Sequence, residues 1–251
     1  MKEGPNVNRC FLKADRWDEW AEQLTGQKAG RPMPPVQKPC PQGASLVDLV
    51  PGNNPVMGAT TLVEAIASRK SHRRFTGDFL TLEELSFLLW ATQGVRSVSS
   101  DKRTTLRTVP SGGGRHPFET YLTVGRVTNL EPGLYRYLPL EHKLCLLKKG
   151  DNLVEKVKNA SRTNAFVGEA AVVFVWTAIP YRAEWRYGVV AHKMVAIESG
   201  HICQNLYLAC GAIGAGTCAV GAYSQNEMDA VLGVDGEEEF AIYVAPVGKV
   251  A

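Results

Sequence analysis

From Thr60 onward the apolar and polar positions follow two periods, and the switches between them mark the elements. In "TLVEAIASR", Thr61 and Glu64 stand at capping-box spacing ahead of apolar positions at helical intervals, which predicts a helix start. "TLEELSFLLWATQG" repeats the device with Thr81 and Glu84. There Leu82, Leu85, Leu88 and Leu89 are the apolar positions, and Gly94 is the stop. Strand patterns fall at "FETYLTVGRV", "GLYRYLP" and "KLCLLKK", and "NLVEKVKNA" has helical spacing. The longest apolar run, "AAVVFVWTAI" from Ala170, fits a central strand. A long helix over "HKMVAIESGHICQNLYLACGAIG" is apolar on most sides and belongs in the centre of the fold. Gly200 in its middle costs about 1 kcal/mol relative to alanine, which points to close packing there. A short helix, "QNEMDAVLG", and a last strand, "EFAIYVAPVG", complete the chain, while "SVSSDKRTTLRTV" reads as a polar loop. Helices and strands mix without a regular βαβ beat, so the pattern predicts an α+β fold.

Residues 1–57 have a different texture. "GRPMPPVQKPCPQG" is proline-rich and "VPGNNPVMG" adds turn chemistry. This stretch reads as an extended, wrapping arm with one short helix over "RWDEWAEQL", ahead of a single domain over 58–251. Its apolar residues, among them Phe11, Trp17 and Trp20, need a surface to pack on.

Composition narrows the function classes. A net charge of +3 gives a nucleic-acid role no global electrostatic support. No segment approaches the roughly 18 apolar residues of a membrane span, and the polar N-terminus lacks a signal-peptide core. Cys10, Cys40, Cys145, Cys203, Cys210 and Cys218 include no CxxC pair, and they read as reduced, mostly buried thiols of a cytoplasmic protein. His201 with the nearby cysteines offers no tight ligand pair, so no metal site is expected. "GAGTCA" at Gly214 fits a dinucleotide fingerprint, but a helix precedes it where that motif needs a strand.

Three segments carry candidate chemistry. "SRKSHRRF" gathers Arg69, Lys70, Arg73 and Arg74 around Ser71. It is either a solvated helix end or an anion site, since guanidinium forks, an ammonium and a hydroxyl together suit a terminal phosphate. "PSGGGRHPFETYLTV" sets three glycines before a strand, and "GAGTCAVGAY" follows the long helix. Both let a flat ring approach main-chain groups. A phosphate-bearing planar cofactor would use all three.

Together with "TLEELSFLLWATQG", "PGLYRYLPLEHKL", "EWRYG" and "ESGHICQNLYLA", these segments in this order resemble the flavin-dependent nitroreductase superfamily, specifically its SagB/ThcOx-type dehydrogenase branch. The resemblance implies a nitroreductase-like α+β fold, with a central, mostly antiparallel sheet flanked by helices, built as an intertwined homodimer holding FMN at its interface. It assigns Arg69 and Ser71 to the phosphate and ribityl side, with Lys70 between them a further cofactor-binding candidate. Arg73 goes to the pyrimidine edge of the flavin, where reduced flavin gathers negative charge. Pro110, Ser111, Gly112 and Gly114 become the loop laid against the ring from the partner subunit, and Val220, Gly221 and Ala222 the segment beside flavin N5. Lys249 is the basic residue available for the phosphate after the last strand. Arg186-Tyr187 stands where azoline-oxidising relatives carry Lys-Tyr. An arginine stays protonated and makes a poor base, which argues against azole formation and leaves Tyr187 to relay a proton. Trp185, Arg182 and His116 are candidates for the acceptor side and equally readable as structural. The implied function is an FMN-dependent oxidoreductase taking hydride from NADH or NADPH and reducing a small organic acceptor. The alternatives are a dehydrogenase acting on azolines of a modified peptide, and an FMN-binding protein without turnover.

Overall fold

The computed structural model describes residues 7–52, 60–100 and 104–251. The arm opens with helices α1 (Val7–Cys10) and α2 (Trp17–Glu22) and contributes an edge strand, β1 (Leu46–Asp48). Then come α3 (Leu62–Ser68), α4 (Leu82–Gln93), β2 (Val95–Val98) and β3 (Thr105–Arg107). Next are β4 (Phe118–Val124), β5 (Gly133–Leu138), β6 (Lys143–Lys149), α5 (Leu153–Ala160) and β7 (Val172–Ala178). The chain finishes with α6 (Tyr181–Tyr187), α7 (Ala191–Ala212), β8 (Ala215–Thr217), α8 (Gln225–Leu232) and β9 (Phe240–Lys249).

Seven strands form one antiparallel sheet in the order β1-β6-β5-β4-β7-β9-β8. Strand β7 is central, paired along its whole length with β4 and β9. Successive side chains of a strand point to opposite faces. Phe174 and Trp176 therefore join the layer under α4 and α7, with Leu85, Leu88, Leu89, Ile202 and Leu206. Val173 and Val175 join the opposite layer under α5 and α8, with Leu153, Val157, Met228 and Leu232. A sheet covered on both faces favours apolar residues along its central strand, which explains the run at 170–176; the buried Thr177 is accommodated because its hydroxyl donates to Glu239 at 2.7 Å.

Local signals set the helix starts. Thr61 and Thr81 both form the reciprocal capping box: each threonine Oγ1 accepts from the Glu64 or Glu84 N–H, and the glutamate accepts the threonine N–H at 2.9 Å. Such a box stabilises a helix by about 1 kcal/mol.

Several sequence expectations are corrected. The polar stretch 97–109 is not a plain loop, because parts of it lie in β2 and β3, which pair antiparallel. Gly200 is not tightly packed: an added Cβ would meet open space, and the stripe Ala196, Ile197, Gly200, Gln204 and Gly211 of α7 is exposed in the single chain. Of the six cysteines, Cys40 and Cys145 are joined in a disulfide that ties the arm to β6, and Cys10 is exposed; Cys203, Cys210 and Cys218 are buried thiols. The turn signals in "VPGNNPVMG" lie mostly outside the described residues.

The arm wraps the sheet edge and covers a buried charged cluster. Glu119, Arg136 and Arg182 are each almost wholly inaccessible. Arg182 Nη2 donates to Glu119 Oε1 at 2.5 Å, and Arg136 lies 3.9 Å from the same carboxylate. The arm closes over them: Lys38 N–H donates to Glu119, Lys38 Nζ pairs with Glu239 at 2.5 Å, and Arg136 donates to the carbonyls of Lys38 and Pro39.

Candidate functional site

Helix α3 ends at Ser68, and the basic segment runs on in extended form across the end of the sheet. His72 N–H donates to Thr217 O in β8, and Thr76 N–H to Lys249 O in β9. This places residues 69–76 against the other small-residue segment. Tyr207 of α7 joins them: its hydroxyl lies 3.0 Å from Ser71 Oγ and accepts the Ala219 N–H at 2.8 Å. Arg69 stacks over the Tyr207 ring at 5.4 Å, and Arg73 over Phe166 at 6.0 Å. Asn164, two residues before Phe166, donates to Ala222 O. Val220 is pinned by two main-chain bonds to Val244, while Gly221 and Ala222 beyond it are exposed. Arg69, Lys70, Arg73 and Arg74 are exposed and form no ion pair among the described residues. Four cations in six residues, without carboxylate partners, keep their donors free for an anion.

Lys249 differs. Its ammonium is bonded to Glu84 and to the Ile213 carbonyl, so it stands beside the basic segment with its charge already paired. His72, half-buried among the cations, is pushed below its ordinary pKa by burial and then by Lys70.

The glycine loop lies elsewhere on α7. Gly112–Gly114 form a single tight turn, with Gly113 (φ 58°) and Gly114 (φ 62°) in the left-handed region that glycine enters without the penalty of a Cβ. His116 also has positive φ, 43°, and is held by two bonds: its N–H donates to Ser111 Oγ at 2.8 Å, and its ring Nε2 meets Thr105 O at 3.1 Å. Burial, then the nearby Arg107, depresses the His116 pKa to about 3, so its ring is neutral at ordinary pH. Gly112 N–H donates to Glu198 Oε1 at 2.7 Å, and Gly113 comes so close to Tyr187 that an added Cβ would lie 2.8 Å from its hydroxyl.

Tyr187 and Arg186 end α6, with the guanidinium 5.5 Å from the Tyr187 ring centroid. The arm covers the pair. Trp17 and Trp20 of α2 pack on Tyr187 at 6.4 and 6.5 Å, and Trp20 Nε1–H donates to Arg186 O at 3.1 Å. Of the acceptor-side candidates, Arg182 is spent on Glu119. Trp185 donates to Arg31 O and lies under Arg115. Of the three, only His116 borders a groove of about 780 Å³ that runs past Trp90, Arg96, Leu106, Pro110, Ser111 and Gly114.

Sequence reasoning brought the cationic segment and residues 217–222 to one site, and the structure joins them. It did not foresee Tyr207, Phe166 or Glu198, although "ESGHICQNLYLA" contains two of these; nothing in a helical pattern distinguishes a tyrosine that ties two loops from one that fills a core. Among the described residues, no cluster of three His, Cys, Asp or Glu side chains could hold a metal ion, and no helix is long and apolar enough to cross a membrane.

Comparison with known proteins fits this geometry. The nitroreductase family model matches residues 66–249, which include all three candidate segments. The nitroreductase-family protein MJ1384 of Methanocaldococcus jannaschii is 32% identical over 188 residues, covering 75% of this chain and 90% of that one. The trifolitoxin-processing protein TfxB of Rhizobium leguminosarum is 27% identical over 137 residues, covering 51% of this chain and 36% of that longer one. A nitroreductase-family crystal structure from Anabaena variabilis superposes with a TM-score of 0.69 at 24% identity, over 84% of this chain and 42% of that chain. A helix-flanked antiparallel sheet, a family match across most of the chain and a relative of similar length agree: the chain belongs to the nitroreductase family.

Proposed function

We propose that the protein is an FMN-dependent oxidoreductase that takes hydride from NADH or NADPH and reduces a small organic acceptor. The observation that carries this reading is the free cationic segment lying against a small-residue run whose end, Gly221 and Ala222, is exposed, the two tied together through Tyr207. Arg69, Lys70 and Ser71 suit a phosphate monoester; Arg73 suits the electron-rich edge of a ring; Gly221 and Ala222 leave main-chain groups open beside it. Lys249 is already paired and contributes less. When bound, FMN supplies a two-electron centre that cycles between donor and acceptor. The chain's own part is to orient the ring, hold its charge and manage a proton. Tyr187 is the side chain suited to the last task, and the Arg186 guanidinium lies beside its ring.

The arrangement also favours a homodimer. The basic segment contacts α7 at Tyr207 and the glycine loop contacts it at Glu198, nine residues earlier. That separation is about 13 Å along the axis and half a turn around it. One copy thus offers its two ring-binding segments on opposite sides of the helix, so a second copy is the natural source of the loop. The exposed stripe of small and apolar residues on α7 supplies a contact surface for it.

Purified protein is expected to be yellow and dimeric, to release FMN on denaturation, and to be bleached by NADH or NADPH in anaerobic stopped flow. A colourless protein that takes up no added FMN would overturn the proposal. Dehydrogenation of azolines in a modified peptide is the second reading. The similarity to TfxB supports it, as does the arm lying over Arg186 and Tyr187. Incubation with a thiazoline peptide, with mass spectrometry for the loss of two hydrogens, separates the two.

A further inference from the structure

Glu198 sits in the N-terminal half of α7, facing the glycine loop, and is 7% exposed. Its Oε1 accepts the Gly112 N–H at 2.7 Å, while Oε2 is buried with no hydrogen-bond partner among the described residues. A carboxylate has about four acceptor positions to satisfy, so this one is under-satisfied if ionised, and burying it so is costly. Glu198 also lines a cavity of about 310 Å³ with Pro110, Ser111, Gly112, Ile197 and His201.

The groups around it explain which form is favoured. Burial pushes the Glu198 pKa up from its ordinary value, against the pull of the Gly112 N–H, the Ser111 hydroxyl and His201. From α6, Arg186 meets the loop at Gly113 and Tyr187 meets it at both Gly112 and Gly113, its ring edge beside the clasped residue, and from α7 the apolar Met194 and Ile197 flank the carboxyl. Two of the next residues, Gly113 and Gly114, are glycines in left-handed conformation and cannot stiffen the loop themselves. The bond to Glu198 is therefore what fixes the loop's leading edge to the helix.

We propose that Glu198 is a proton-controlled clasp: it positions the Ser111–Gly112 main chain for the ligand, and the gain or loss of its proton sets both the hold on Gly112 and the charge presented to that ligand. In its neutral form it holds the loop without placing a negative charge beside an anionic, phosphate-bearing ligand; once ionised it grips Gly112 harder but repels such an anion. The effect on the ligand rests on the flavin reading above, whereas the clasp itself does not.

The test separates the two. In ligand-free protein, the Gly112 amide is followed by heteronuclear NMR from about pH 5 to about pH 9, a window spanning carboxyl groups raised by burial. A titrating shift is expected in the native protein and none in Glu198→Gln, which keeps the acceptor oxygen but cannot ionise. Equilibrium dialysis with FMN over the same range should show affinity falling several-fold as pH rises in the native protein. It should stay high and flat in Glu198→Gln, and low throughout in Glu198→Ala. A Gly112 amide that does not titrate in the native protein, or FMN profiles alike in native protein and Glu198→Gln, would overturn the proposal. Absence of FMN uptake at every pH would defeat the flavin reading, and the amide titration would still decide the clasp.

Discussion

Tyr207 offers the sharpest test of how the two ligand-facing segments are held together. In Tyr207→Phe the ring remains, and with it the stacking of Arg69 at 5.4 Å. The lost hydroxyl removes two contacts, one with Ser71 Oγ and one accepting the Ala219 N–H. Ala219 is half-buried, so its N–H is only partly rehydrated, and stranding it costs about 1 kcal/mol; the exposed Ser71 contact adds roughly 0.5 kcal/mol. For a chain of this size the sum, about 1.5 kcal/mol, corresponds to a fall of roughly 3–6 °C in Tm. Tyr207→Leu also removes the stacked ring, worth about 0.5–1 kcal/mol at an exposed site, and should fall further. FMN retention should follow the same order, since both segments lose their common tie. Differential scanning fluorimetry and flavin release, run on the three proteins together, provide the check. If Tyr207→Phe matches the native protein in both measurements, or Tyr207→Leu is no worse than Tyr207→Phe, the tie does not matter and this account of the site fails.

Other perturbations probe the frame around it. Glu119→Gln leaves Arg182 and Arg136 buried without their carboxylate and should cost about 3–5 kcal/mol in urea denaturation. His116 is neutral when folded and titrates near its usual 6.5 when unfolded, so the unfolded chain binds the extra proton. Stability should therefore decline as pH falls from about 6.5 towards about 3, and His116→Gln should flatten that part of the pH–stability curve. Gly114→Val places a β-branched side chain at φ 62°, with its Cβ 2.9 Å from Thr104 Cγ2; a loss of at least about 1–2 kcal/mol is expected, with FMN affinity falling more than the secondary structure seen by circular dichroism. Opening the Cys40–Cys145 link, which closes 105 residues of chain, should destabilise by about 2–5 kcal/mol on comparison of Cys145→Ser with the native protein.

What the sequence disclosed follows from the range of the forces involved. The Thr61 and Thr81 boxes act over three residues and were legible as written. So was β7, where burial on both faces makes six of its seven residues apolar. The α+β class also survives in the fold, in which "SRKSHRRF" lies beside "GTCAVGAY". Contacts that depend on distant partners were not legible. Nothing in "SLVDLV" announces that Leu46–Asp48 will add an edge strand beside β6, because its pattern of exposure is that of a loop. Helix α6 was missed because "YRAEWRY" is short and buries Arg182 on Glu119 and Trp185 against the arm instead of showing an apolar stripe. The Cys40–Cys145 link spans 105 positions and has no local signature, and Gly200 could be judged only once its neighbours were known.

The basic segment has a further consequence, for how the molecule avoids its own kind. A sheet ends in strands whose outer N–H and C=O groups can recruit another chain edge to edge. At one margin this sheet ends in β1, only three residues long, with Asp48 paired to Lys143 across it. At the other margin His72 and Thr76 lay the cationic segment along β8 and the end of β9 through main-chain bonds. Four like charges along that border repel a second border of the same sort. The residues suited to gripping an anion thus also serve as the sheet's guard rail, and neutralising them to abolish ligand binding should also make the protein prone to aggregate.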